Sequence, residues 1–210
     1  SAVAFADGSM SVSDRMRDLL VDYDQKSTRK ALAHLSEMEL QSALAMTASL
    51  PKSTEREALR AELYRAWAAK NPDAAWKAAL ADPLDRERGT LLAAVASELA
   101  KTKPSAAVDL AMTLGLGEKR GTVLSAVMSA WAKADVVAAM AYANAHPELP
   151  MGAVTFSSAL AALAEKEPMK AANAALTLKD ETGRRVTLTS LMTAWVGKDP
   201  AAALAWAQSV

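Results

Sequence analysis

Four arginines, Arg56, Arg88, Arg120 and Arg184, recur at thirty-two residues or twice that spacing. Each guanidinium is a planar fork of donors that suits a carboxylate or a phosphate, so a ladder of them could hold an acidic peptide or a polyanion. The recurrence also has a structural reading. An arginine at every junction between helices can hydrogen-bond the carbonyls left free at a helix C-terminus, and a duty needed in every unit favours that reading. Gly152 interrupts the ladder. The second candidate surface is aromatic: Tyr142 and Trp206 share a column with Ala78, Leu110 and Ala174. Exposed rings there would supply low-entropy anchors for a bound peptide. These six residues are the expected binding positions.

Catalytic chemistry finds less support. His34 and His146 are the only histidines, the first expected mid-helix and the second in a turn. With packed helices about 10 Å apart, a hundred residues of stacked pairs would keep them from meeting, so no Ser-His-Asp or His-based metal site can use both. The chain has no cysteine, which excludes disulfides, thiolate nucleophiles and cysteine metal sites. No catalytic residue, metal or cofactor is expected, and the reading is of a protein that is not an enzyme.

Charge narrows the partners. Lys and Arg number 24 and Asp and Glu 24, with no basic stripe of the kind that neutralises nucleic-acid phosphates. A nucleic-acid partner is not expected. The longest uncharged stretch, residues 149–164, holds Pro150, Gly152, Thr155, Ser157 and Ser158 and is too short to span a bilayer.

The elements that must position these residues follow from one period. Pro72, Pro104, Val136, Pro168 and Pro200 stand thirty-two residues apart with no insertion. Five residues earlier stand Trp67, Leu99, Trp131, Leu163 and Trp195, with Leu35 in the first unit. Three residues after each proline position come Ala75, Ala107, Ala139, Ala171 and Ala203, and four further on Ala79, Ala111, Ala143, Ala175 and Ala207. Self-similarity at such a period marks a repeat architecture.

Within a unit the pattern is helical. Leu59, Leu63, Ala66 and Trp67 have the i, i+4, i+7, i+8 spacing of one buried face, predicting a first helix over 55–69. The proline predicts the start of a second, because a proline at the first helical position forgoes an N–H that would be unpaired anyway. Asn71, Asp135 and Asp199 precede it as N-caps, while Lys103 and Glu167 cap less well. Turn residues close each unit, and no strand pattern competes. The large residue is expected between its own second helix and the next unit. The alanine columns let the two helices approach closely, where longer side chains would overpack. The column of Leu44, Trp76, Val108, Met140, Ala172 and Leu204 reads as core.

The units Ala66-Trp67-Ala68-Ala69-Lys70-Asn71-Pro72-Asp73-Ala74-Ala75-Trp76 and Ala194 to Ala207 resemble the W-A-x-x-D-P-x-A-A-x-x-W-A helical repeats of uncharacterised bacterial proteins. More broadly they resemble tetratricopeptide-like α/α superhelices. The tetratricopeptide repeat itself runs about 34 residues with a differently placed tryptophan, so no carboxylate clamp carries over. The resemblance implies an all-α, right-handed solenoid and a periplasmic or exported setting, with no catalytic residue.

The expected organisation is a disordered segment over 1–10 and one solenoid domain over 11–210. Its cap helix lies at 11–22, with Val12, Met16, Leu19, Leu20 and Tyr23 facing inward, and six helical hairpins follow at about 23–50, 51–82, 83–114, 115–146, 147–178 and 179–210. Residues 2–5 have the small-x-small form of a signal-peptidase site, with no basic and apolar stretch before them. No polar helix covers the last pair, so that face is expected to be met by further units or by another copy. The function read from this is a non-catalytic scaffold for a protein or peptide. The alternatives are an assembly module joining copies through that face and an α/α-toroid hydrolase.

Overall fold

The computed structural model describes residues 14, 16, 18, 19, 23–84, 86–149 and 153–210. The expected disordered start, Gly152 and eight of the twelve cap-helix positions lie outside the described residues. Of that cap, residues 14, 16, 18 and 19 are helical, and Met16 and Leu19 are buried.

Among the described residues the protein is all-α, without strands. The bounded helices are α1 (Gln25–Leu32), α2 (Glu37–Ala48), α3 (Thr54–Ala68), α4 (Pro72–Leu80), α5 (Arg88–Leu99), α6 (Pro104–Met112), α7 (Glu118–Ala145), α8 (Ala153–Ala164), α9 (Pro168–Leu176), α10 (Glu181–Lys198) and α11 (Pro200–Ala207). The chain divides into two compact units, Ser1–Val127 and Met128–Val210. In the first, α3 packs on α1, α2 and α4, and α5 on α3, α4 and α6. In the second, α10 packs on α8, α9 and α11, and α8 on α9. Both units use one scheme: the first helix of a pair sits against its own partner and the preceding pair.

Backbone geometry carries the period. Asn71 (φ −147°, ψ 83°), Lys103 (−137°, 69°), Asp135 (−151°, 93°), Glu167 (−135°, 70°) and Asp199 (−146°, 85°) adopt one extended conformation at every thirty-second residue. Prolines follow four of them, and a residue before proline is driven out of the helical region by the ring. Asp135 takes the same shape ahead of Val136, so α7 is a pair of helices broken there. Side-chain capping follows chemistry: Asn71, Asp135 and Asp199 accept from the N–H three residues on, at 3.1, 3.0 and 3.0 Å. Lys103 and Glu167 make no such bond.

The first alanine column is fully buried at Ala75, Ala107, Ala139, Ala171 and Ala203. In the second, Ala79, Ala111 and Ala175 are buried, Ala143 is half-buried and Ala207 exposed. The column expected to be core holds for Leu44, Trp76, Val108, Met140 and Ala172, but Leu204 is exposed.

Two further expectations are corrected. His34 lies in an exposed turn rather than mid-helix, because Ser36 and Glu39 form a capping box that starts α2 immediately afterwards. At Trp67 and Trp195 the large residue reaches the preceding pair, a contact that the expected place between its own second helix and the next unit does not include. Trp67 Nε1 donates to Glu37 Oε1 of α2 at 2.8 Å, and Trp195 packs with Ala172 of the preceding pair as well as Ala203 and Trp206 of its own. An indole N–H needs an acceptor when buried, and Glu37 supplies it.

Residues 119–145 within α7 have the length and composition of a membrane-crossing helix, with half of the apolar stretch buried in the protein.

Candidate functional site

The arginine column takes up the structural duty. Arg56 Nη1 donates to Leu50 O at 3.0 Å, Arg88 Nη2 to Asp82 O at 2.8 Å, and Arg184 Nη1 to Leu178 O at 2.7 Å. Each acceptor lies six residues earlier, just beyond the end of α2, α4 or α9. Arg120 departs from the set and directs Nη2 to the Met112 sulfur. Arg56 is buried and the other three are half-buried.

In the first unit Arg56 also belongs to a buried ionic cluster. Its Nη2 meets Glu87 Oε1, and Arg60 Nε reaches Glu87 Oε2 at 2.9 Å while its Nη2 reaches Asp82 Oδ2 at 2.6 Å. Tyr64 donates its hydroxyl to the same Asp82 oxygen at 2.7 Å. Burial, followed by the Asp82 hydrogen bond and charge, pushes the Tyr64 phenol well above its ordinary value. Two guanidinium groups and two carboxylates balance, and Arg60 spends a further donor on Leu44 O. The charges of this buried set are matched, as a buried ionic group requires, while Arg56 Nε has no hydrogen-bond partner among the described residues. A second cluster centres on Glu62, which accepts from Gln25 Nε2 and from Arg29 Nε and Nη2 at 2.7–3.0 Å. Burial would raise the Glu62 carboxyl, but the Arg29 and Gln25 bonds and the Arg65 charge outweigh it and hold it below the ordinary carboxylate value. Both clusters are internal bracing and present little to a ligand.

The second unit presents more. Between the Val136 half of α7, α9 and the α10–α11 corner lies a groove of about 660 Å³. Val137, Met169, Ala174, Trp195 and Ala202 give it an apolar floor and wall, and Glu167, Lys170, Asn173, Thr177 and Asp199 give it polar edges. Met169 and Val137 are exposed large apolar side chains, while Trp195 is buried beneath. The volume falls within the roughly 300–1,000 Å³ of small-ligand sites. Beside the groove, Asn144 Nδ2 donates to Thr177 O at 3.0 Å, and Lys179 Nζ to Asn144 O at 2.6 Å.

Trp206 does not form the exposed aromatic surface expected of it. Its ring is buried, tilted against Trp195 at 6.0 Å, and its Nε1 donates to Asn173 Oδ1 at 2.8 Å. That bond fixes the orientation of the Asn173 amide, since the oxygen must face the indole. The exposed Asn173 then keeps its Nδ2 donors at the groove, with no partner among the described residues. Tyr142 is half-buried, packed on Trp131 at 5.0 Å and stacked on His146 at 4.2 Å. His146 sits past the end of α7, as expected, with Nδ1 2.9 Å from Glu148 Oε1.

A signal for this groove exists in the columns. The position after each proline reads Asp73, Ser105, Val137, Met169 and Ala201, polar in the first unit and apolar in the second. A position that changes character along a repeat is free of the stacking duty its neighbours share. Among the described residues no group of three His, Asp or Glu side chains gathers to hold a metal ion. The chain matches no protein-family profile, no curated protein and no solved structure.

Proposed function

We propose that this chain is a non-catalytic α/α-solenoid scaffold of repeated helical hairpins and that the groove of its second unit holds an extended peptide segment of a protein partner. One observation carries the reading: an apolar groove in which Met169 and Val137 stand exposed beside an Asn173 amide whose acceptor is occupied and whose donors are free. An apolar side chain of the peptide rests over Trp195 between Met169 and Val137. Asn173 Nδ2 donates to a main-chain carbonyl next to it. The solenoid reading is supported by the identical hinge at Asn71, Lys103, Asp135, Glu167 and Asp199 and by the same packing scheme in each unit, since stacked helical pairs build extended binding surfaces.

Peptides selected from a displayed random library against the chain test this. Asn173→Asp keeps the acceptor for Trp206 and removes both donors, so it is expected to weaken the selected peptides about tenfold, the loss of about one hydrogen bond in a desolvated site. Thermal stability should stay near wild type. Met169→Glu should abolish binding. A library yielding no binder, or binders indifferent to both substitutions, sinks the proposal.

A further inference from the structure

The rim of the second unit's groove carries a charge that the fold does not require. The hinge residues are Asn71 and Lys103 in the first unit, and Asp135, Glu167 and Asp199 in the second. All three hinges of the second unit are acidic. Capping explains an oxygen at such a position but not its charge, because asparagine caps a helix about as well as aspartate and Asn71 does so here. The helix dipole favours an acid at this end, yet Lys103 adopts the same hinge backbone (φ −137°, ψ 69°). Glu167 makes no capping bond.

Two of these carboxylates, Glu167 and Asp199, line the groove together with Lys170. Lys170 Nζ lies 3.5 Å from Glu167 Oε2 with both side chains more than half exposed, and a pair of that kind is weak and easily exchanged for another partner. Asp199 Oδ1 accepts from the Ala202 N–H, while its Oδ2 has no partner among the described residues. The neighbouring Lys198 is engaged by Glu165. Two negative charges against one positive therefore stand beside the apolar surface of Met169 and Val137.

We infer that the peptide held by this groove is basic, with a lysine or arginine flanking the apolar side chain that rests over Trp195 and its cation met by Glu167 and Asp199. The inference rests on the peptide reading of the groove and adds the charge of the partner to it. Charges on an exposed rim set the choice of partner more than the tightness of binding. Asn173 and the carboxylates divide the work, the amide donating to a main-chain carbonyl and the rim accepting from the side chain.

Peptides selected from the displayed library against the wild-type chain are the probe, with affinity read by fluorescence anisotropy. Compared with the unselected library, they should be enriched in Lys or Arg beside the apolar anchor. Replacing that residue by Gln should weaken binding to the wild type about fivefold, a loss that added salt narrows. On Glu167→Gln/Asp199→Asn, whose amide oxygen at the second position still caps α11, the same replacement should make almost no difference. Peptides that need Met169 but show no basic enrichment, or a Gln replacement that costs as much on the double variant as on the wild type, overturn the inference and leave the groove reading standing. Binders indifferent to Met169→Glu, or no binders at all, remove the groove reading and this inference with it.

Discussion

Arg60 occupies a column that is apolar in every later pair, with Leu92, Leu124, Phe156 and Leu188 at the equivalent positions and Thr28 one period earlier. Its charge is held by Asp82 and Glu87, and Asp82 in turn replaces the leucines at 50, 114 and 178. Removing one member of a buried ion pair strands the other and costs about 3–5 kcal/mol, so Arg60→Leu should lower chemical-denaturation stability by that order. Arg60→Leu with Asp82→Leu restores the apolar identity of both columns and should be less destabilising than the single change. A double variant as unstable as the sum of the two singles would contradict the coupling. Glu62 gives a pH-dependent counterpart. Its folded pKa lies below the ordinary 4.5, so its contribution is fully present above that value and is lost as pH falls through the lower folded value. Wild type should therefore exceed Glu62→Gln in stability at neutral pH, with the gap narrowing on acidification. A gap that stays constant down to strongly acid pH removes the assigned role.

The thirty-second-residue hinge is the device that makes these elements. At Asp135 it operates without proline, and the backbone is already extended as a pre-proline residue requires. Val136→Pro should thus change stability by less than about 1 kcal/mol, whereas a proline inside a continuous helix costs about 3 kcal/mol or more. A loss of that larger size, measured by thermal melting, would mean that α7 is one helix. Asp135→Ala removes the bond to the Ala138 N–H and should cost about 1 kcal/mol. The prolines, caps, alanine columns and arginine-to-carbonyl bonds were legible in the sequence because each is local or recurs at the period. The Arg60–Asp82–Glu87 cluster was not, because it breaks the period in one place and its members are far apart in the chain. The direction of Trp67 depended on Glu37, a single non-periodic acceptor. Tyr142 and Trp206 stand out in the sequence as rings, yet burial of Trp206 follows from contacts with Trp195 and Asn173 that spacing alone does not reveal.

For the molecule as a whole, recurrence and function separate. Positions identical in every unit serve the packing of one pair on the next, and the distinctive surfaces arise where the columns change: Val137 and Met169 after polar Asp73 and Ser105, and Asn173 after Lys77 and Asp109. A scaffold can diversify at such positions without disturbing its stacking, because each helix pair depends chiefly on its neighbours. The central claim is that the groove beside Asn173 holds a peptide main chain. It is tested most directly by nuclear magnetic resonance of the chain with labelled asparagine side-chain amides and methionine methyls, titrated with a library-selected peptide. The Asn173 Nδ2 protons and the Met169 methyl should shift together and saturate at one affinity. Shifts confined to Met38, Met46 and Asn71 of the first unit, with Asn173 and Met169 unmoved, would contradict it.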